Sequence, residues 1–224
     1  MSNGKIYFIA TPIGNLGDIS ERTREVLLSV DLVVCEDTRV SGRLLKHLKL
    51  KKSLLSLHQH SDDGKINHII HETEIGKNIA YLSDSGTPGI SDPGQKLARV
   101  ARDLGVEIIP IPGPSALAAA ISVSGMIEKE FYFAGFLPKK KGRETKFKEL
   151  AMLNIPIIIY EAAPRIEKTL TGILRFFGPN MEVFLAREIS KKFEEYWGGE
   201  IEVVINSLST HIIKGEFTLI ISKK

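Results

Sequence analysis

From Ile6 to Ile111 the chain alternates short apolar runs with amphipathic stretches of helical period, and that alternation leaves few folds open. Strands are predicted near 5–10, 31–35, 53–57, 78–83 and 106–111, with helices near 20–29, 38–48, 63–75 and 93–104 between them. Such a pattern makes a parallel α/β half. It ends at Ile111-Pro112-Gly113-Pro114-Ser115-Ala116, where Pro114 is placed to start the next helix. Beyond it, strands are predicted near 131–136, 156–161, 181–187, 193–197 and 216–222, and helices near 143–153, 164–177 and 200–208. The spacing is shorter and less regular there, so a mixed sheet is expected. The expected division is 1–113 and 114–224, two α/β domains with a cleft between them.

Other features bound the function. A chain of 224 residues buries roughly 70–75% of its unfolded surface, enough for a core without staples. The single cysteine, Cys35, excludes an internal disulfide framework and follows Leu32-Val33-Val34, which makes it a buried strand residue. Met1-Ser2-Asn3-Gly4-Lys5 runs straight into the first strand without a signal-like apolar region, and no apolar run approaches membrane-spanning length. A cytoplasmic protein with no membrane contact is expected. The formal charge of +3 permits an anionic partner without requiring one.

Three segments carry chemical potential. Ser83-Asp84-Ser85-Gly86-Thr87-Pro88-Gly89-Ile90-Ser91-Asp92-Pro93-Gly94 joins a strand to a helix, with Asp92 expected at the N-cap and Pro93 at the first helical position. Gly86 and Gly89 allow a bound molecule to approach the backbone closely, and Asp84 offers an acceptor beyond a strand end, where α/β sheets bind ligands. The second segment, Lys139, Lys140, Lys141, Arg143, Lys146 and Lys148, is opposed only by Glu144 and follows an aromatic strand. It reads either as a solvated loop or as a phosphate-binding arm for nucleic acid. The third, His68 and His71, is spaced for one helix face, but without a third ligand it reads as a surface helix rather than a metal site. Neither G-x-G-x-x-G after a strand nor G-x-x-x-x-G-K-[ST] is present, which argues against an ordinary dinucleotide fold and a P-loop nucleotidase.

Taken in order, a longer set of strings resembles the tetrapyrrole methylase superfamily of S-adenosylmethionine-dependent methyltransferases, and within it the ribosomal RNA small subunit methyltransferase I branch. In the first half they are Thr11-Pro12-Ile13-Gly14-Asn15-Leu16-Gly17-Asp18-Ile19, Cys35-Glu36-Asp37-Thr38-Arg39, His58-Gln59-His60, the Ser83–Gly94 loop and Ile111–Ala116. The second half adds Phe133-Ala134-Gly135-Phe136-Leu137-Pro138, Tyr160-Glu161-Ala162-Ala163-Pro164-Arg165, Ala186-Arg187-Glu188-Ile189-Ser190-Lys191-Lys192 and Lys214-Gly215-Glu216-Phe217. One string departs from the branch: the pattern more often reads Glu-Ala-Pro-x-Arg, whereas an extra alanine precedes the proline here, giving Glu161-Ala162-Ala163-Pro164-Arg165.

The resemblance implies a two-domain class III methyltransferase fold, a homodimer, and S-adenosylmethionine held in the cleft. It implies methyl transfer to the ribose 2′-hydroxyl of a cytidine in the decoding region of 16S rRNA in the small ribosomal subunit. Carried over by position, Asp84, Gly86, Thr87, Ser115 and Ala116 line the cofactor, Ile13 and Tyr160 flank it, and Gly215 approaches it. A 2′-hydroxyl reacts faster beside a base, by roughly 10²–10⁴-fold. Glu36, Asp37, Glu161 and Glu188 are the candidate acids, with Arg39, Arg165 and Arg187 near them in sequence, and all seven are expected on the substrate side. Each pair reads equally as a structural ion pair. His58 and His60 rank behind the carboxylates as base. Lys139, Lys140, Lys141, Arg143 and Lys146 are the expected RNA contacts. The alternatives are a tetrapyrrole (precorrin-type) methyltransferase and a non-catalytic RNA-binding module of ribosome assembly.

Overall fold

The computed structural model describes residues 3–58 and 63–224. The chain divides into two compact units, Met1–Ser115 and Ala116–Lys224.

In the first unit, β1 (Ile6–Ile9), β2 (Leu32–Cys35), β3 (Ser53–Ser56), β4 (Ile79–Leu82) and β5 (Ile108–Ile111) form a sheet of order β3-β2-β4-β1-β5, parallel throughout. The period-2 alternation of strand side chains splits its core into two layers. Ile6, Phe8, Val34, Ile79 and Tyr81 pack beneath α3 (Asp63–Glu74) and α4 (Gly94–Asp103). Ile9, Val33, Cys35, Ala80 and Leu82 pack beneath α1 (Glu21–Ser29) and α2 (Thr38–His47). Pro110 sits in β5, an edge strand, where a missing N–H leaves no ladder partner unserved.

This arrangement sets where a ligand can enter. β1 and β2 send their following helices to one face, while β3 and β4 send theirs to the other. The end of β4 therefore lies between neighbours, β2 and β1, whose connections leave on the opposite side. That is the topological switch point at which open α/β sheets form a crevice. Sequence and structure differ slightly here: α4 begins at Gly94 with Pro93, not Asp92, in the cap position. Asp92 still accepts from the Gly94 N–H at 2.7 Å. Similarly, the helix after Pro114 begins at Ala116, because the Pro114 carbonyl is turned back to accept the Thr87 hydroxyl at 3.0 Å.

The second unit holds a mixed sheet of order β6-β7-β10-β8-β9, built from β6 (Tyr132–Phe136), β7 (Ile157–Ala162), β8 (Met181–Arg187), β9 (Glu195–Glu200) and β10 (Glu216–Lys223). β6 and β7 are parallel; the β7–β10, β10–β8 and β8–β9 pairs are antiparallel. One face carries Ile157, Ile159, Val183, Leu185, Leu219 and Ile221 and is covered by α6 (Arg143–Ala151), α7 (Ile166–Phe177) and α8 (Ile201–Ser207). α5 (Ala116–Ser124) packs along β10. Among the described residues, no helix is long and apolar enough to cross a membrane.

Candidate functional site

The carboxyl ends of β1, β2, β4 and β5 converge through side chains the sequence had singled out. Thr11 and Gly86 exchange backbone hydrogen bonds at 3.0 and 3.1 Å, and the Thr11 hydroxyl donates to the Ser83 carbonyl at 3.1 Å. Ser83 in turn donates to the Gly86 carbonyl at 2.6 Å. Gly86 adopts φ +83°, and a Cβ there would come within 3.2 Å of Ile13 Cγ2 and 3.5 Å of the Pro114 carbonyl. Ile13, Asp84, Gly86, Thr87 and the peptide before Ser115 are thus gathered at one edge. Ala116, Tyr160 and Gly215 belong to the second unit.

Acids crowd the same edge. The Asp84 carboxylate accepts the Asp37 N–H at 2.9 Å, joining the ends of β2 and β4. Asp37 is committed locally: Oδ1 caps α2 by accepting the Arg39 N–H at 2.8 Å, and Oδ2 takes the Arg39 guanidinium at 2.5 Å. Those bonds hold its carboxyl well below the usual range. Arg39 itself is 87% exposed. Glu36 differs. Its carboxylate has no hydrogen bond or ion pair among the described residues, and burial first, then the charges of Asp84 and Asp92, push its proton affinity up. Burial raises Asp84 as well. Of the two histidines ranked behind the carboxylates as base, His58 lies within the described residues and His60 outside them.

The second unit treats its candidates otherwise. Tyr160 and Glu161 are consecutive on β7 and so face opposite sides of the sheet. Tyr160 lies against Phe133 and Phe136, with ring centroids 5.0 and 5.6 Å away. Glu161 points beneath α6 and α7, fully buried. Its Oε1 accepts the Ala162 N–H at 2.9 Å and pairs with Arg165 Nη2 at 2.5 Å. Its Oε2 lies 2.7 Å from the Thr169 hydroxyl and 3.6 Å from Arg143 Nη2. The extra alanine before Pro164 leaves Arg165 four residues after Glu161, and the two pair.

Arg143 stands apart from the basic run to which the sequence assigns it. Its side chain is 7% exposed, donating to Thr169 Oγ1 at 2.5 Å and to the Pro138 carbonyl at 3.1 Å. Lys139, Lys140 and Lys141 are exposed and make no ion pair among the described residues. Lys146 lies over the Tyr132 ring, 5.4 Å from its centroid. Arg187 is also buried, bonded to Glu195 at 3.1 Å, and Glu195 reaches His211 at 2.7 Å. Glu195, His211 and the stacked Trp197 carry no signal in short sequence strings and were missed. Glu188 adopts φ +50°, and its Oε1 accepts Lys191 at 2.7 Å and the Glu216 N–H at 3.0 Å. Burial pushes its carboxyl up, but those donors hold it below the ordinary value.

Comparison with known proteins identifies the family. The family model for Tetrapyrrole (Corrin/Porphyrin) Methylases matches residues 5–204. A ribosomal RNA small subunit methyltransferase I of Synechocystis is 42% identical over 98% of this chain and 79% of its own length. The protein of that name from Mycoplasmopsis pulmonis is 44% identical over 96% of both chains. The chain belongs to the tetrapyrrole methylase family, in its ribosomal RNA small subunit methyltransferase I branch. The tetrapyrrole methylase fold recurs in a Thermus thermophilus uroporphyrin-III C-methyltransferase solved with S-adenyl homocysteine, at TM-score 0.67 and 14% identity over 98% of this chain and 97% of that one. In a tetrapyrrole methylase, the gathered edge of the first sheet suits a ligand with both polar and apolar parts. Gly86 leaves a cradle that a Cβ would fill, Asp84 supplies an acceptor for hydroxyl or ammonium groups, and Ile13 supplies apolar cover.

Proposed function

We propose that this protein transfers a methyl group from S-adenosylmethionine to the ribose 2′-hydroxyl of a cytidine in the decoding region of 16S rRNA, acting on the small ribosomal subunit as a cytoplasmic homodimer. The observation that carries the reading is near-full-length identity of 42–44% to relatives named for small-subunit rRNA methylation. The exposed Lys139–Lys141 run supports it, as phosphate contacts require accessible cations.

Asp84, Gly86, Thr87 and Ile13 would hold the cofactor from the first unit, with Ser115, Ala116, Tyr160 and Gly215 completing the set. The bound sulfonium supplies an activated methyl, so in-line placement is the main demand on the protein. Glu36 is the acid suited to accept the 2′-hydroxyl proton: it is raised, half-buried and without a hydrogen bond or ion pair among the described residues, whereas Asp37, Glu161 and Glu188 already hold donors. Exposed Arg39, anchored by Asp37, is available to a phosphate. Glu161, Arg165, Arg187 and Glu188 brace the second unit's share of the site.

The test is labelled S-adenosylmethionine with small subunits from a strain lacking the modification, followed by digestion of the RNA and identification of the nucleoside. Labelled 2′-O-methylcytidine is expected. Cofactor binding without label in RNA would overturn the reading and direct attention to a macrocycle or protein acceptor.

A further inference from the structure

β6 is an edge strand with a register shift between Phe133 and Gly135, where Gly135 takes φ +61°. In a regular strand, residues 133 and 136 would face opposite sides. The bulge turns Ala134 toward the helix-covered core and brings both phenylalanines onto the face of Tyr160. Phe133 is half-buried there, but Phe136 remains 55% exposed, resting on Tyr160 through a tilted contact. An apolar ring held in water by a backbone irregularity has gained little from folding. Its other neighbour along the chain is the exposed run Lys139–Lys141, whose first member three residues of backbone place within about 10 Å. Tyr132, on the opposite face, already has Lys146 over its ring.

An open aromatic face next to exposed cations is the pairing that single-stranded nucleic acid selects, the ring stacking on a base and the cations meeting phosphates. We infer that Phe136 is a base-stacking platform for an unpaired nucleotide of the RNA acceptor, with Lys139, Lys140 and Lys141 gripping the adjoining phosphates. This rests on the proposed RNA substrate and goes beyond it by naming the group that orients the strand beside Tyr160.

The experiment uses the full chain, a short single-stranded cytidine-containing RNA, and the variants Phe136→Ala and Phe136→Trp. Phe136→Ala is expected to weaken RNA binding roughly 5- to 150-fold with an unchanged salt slope, since stacking carries no charge. KM for small subunits rises far more than kcat falls, and S-adenosylmethionine affinity is unchanged. Phe136→Trp restores binding, and its added emission is quenched by RNA above the constant signal of Trp197. Parental RNA affinity in Phe136→Ala, alongside loss when Lys139, Lys140 and Lys141 are together replaced by alanine, would overturn the platform and leave the RNA reading standing. Loss of cofactor affinity instead would assign the ring to the methyl donor and overturn it equally. Absence of RNA binding by the parent protein would remove both.

Discussion

Replacing Arg143 separates a structural role from an RNA-binding one. The guanidinium is buried between α6 and α7, with Glu161 at 3.6 Å, Thr169 at 2.5 Å and the Phe147 ring 5.1 Å away. Removing one partner of a buried pair costs about 3–5 kcal/mol when the survivor is stranded. Glu161 is not stranded in Arg143→Ala, because Arg165 and the Ala162 N–H remain, so about 2–3 kcal/mol is expected. In a chain of this size that lowers the melting temperature by roughly 4–12 °C. Arg143→Lys should fall between, as an ammonium keeps the charge but not the forked geometry that serves Thr169 and the Pro138 carbonyl together. The assay is thermal denaturation by circular dichroism, with Lys140→Ala as the exposed control, followed by RNA titration well below the transition. Arg143→Ala should melt early yet bind RNA with near-parental affinity. A parental melting temperature combined with lost RNA affinity would refute the reasoning.

Three more outcomes are expected. Replacing Lys139, Lys140 and Lys141 together with alanine should make the log–log salt slope for single-stranded RNA shallower by about 2, read from titrations at several salt concentrations, with cofactor affinity unchanged. Glu36 lies above its ordinary value, so the folded protein binds its proton more tightly than the unfolded chain does, and stability falls as pH rises through the carboxylate range. Glu36→Gln should therefore melt at or above the parental temperature at neutral pH, lose that advantage in acid, and turn over roughly 10²–10⁴-fold more slowly. Gly215 adopts φ +86°, and a Cβ there would fall 2.2 Å from Glu188 Oε1. Gly215→Ala should lower the melting temperature and free Lys191 from Glu188, seen as a change in the titration of the Lys191 ammonium by NMR.

The first sheet was legible because its inner strands β1, β2 and β4 are buried on both faces and are bounded by helices with clear periodicity. Val33, Val34 and Cys35 show it: adjacent residues serve opposite core layers, so an unbroken apolar run can only be an internal strand. The gathering of Asp84, Gly86 and Ile13 was also legible, because parallel strands deliver their following loops to a common edge. Side-chain direction in the second unit was not. Tyr160-Glu161 reads as one motif, yet consecutive strand residues diverge, and only the sheet's packing tells which of them meets the helices. Arg143 sits two residues beyond Lys141 and reads as one more surface charge, but the left-handed Gly142 at φ +81° starts a helix there and turns the guanidinium inward. Phe136 shows the reverse. One added residue at Ala134 changes the strand's parity, and an alternating pattern that predicts an inward ring yields an outward one. The bulge at Ala134 and the left-handed turn at Gly142 each redirect side chains against the local pattern, and both fall beside residues proposed to meet RNA.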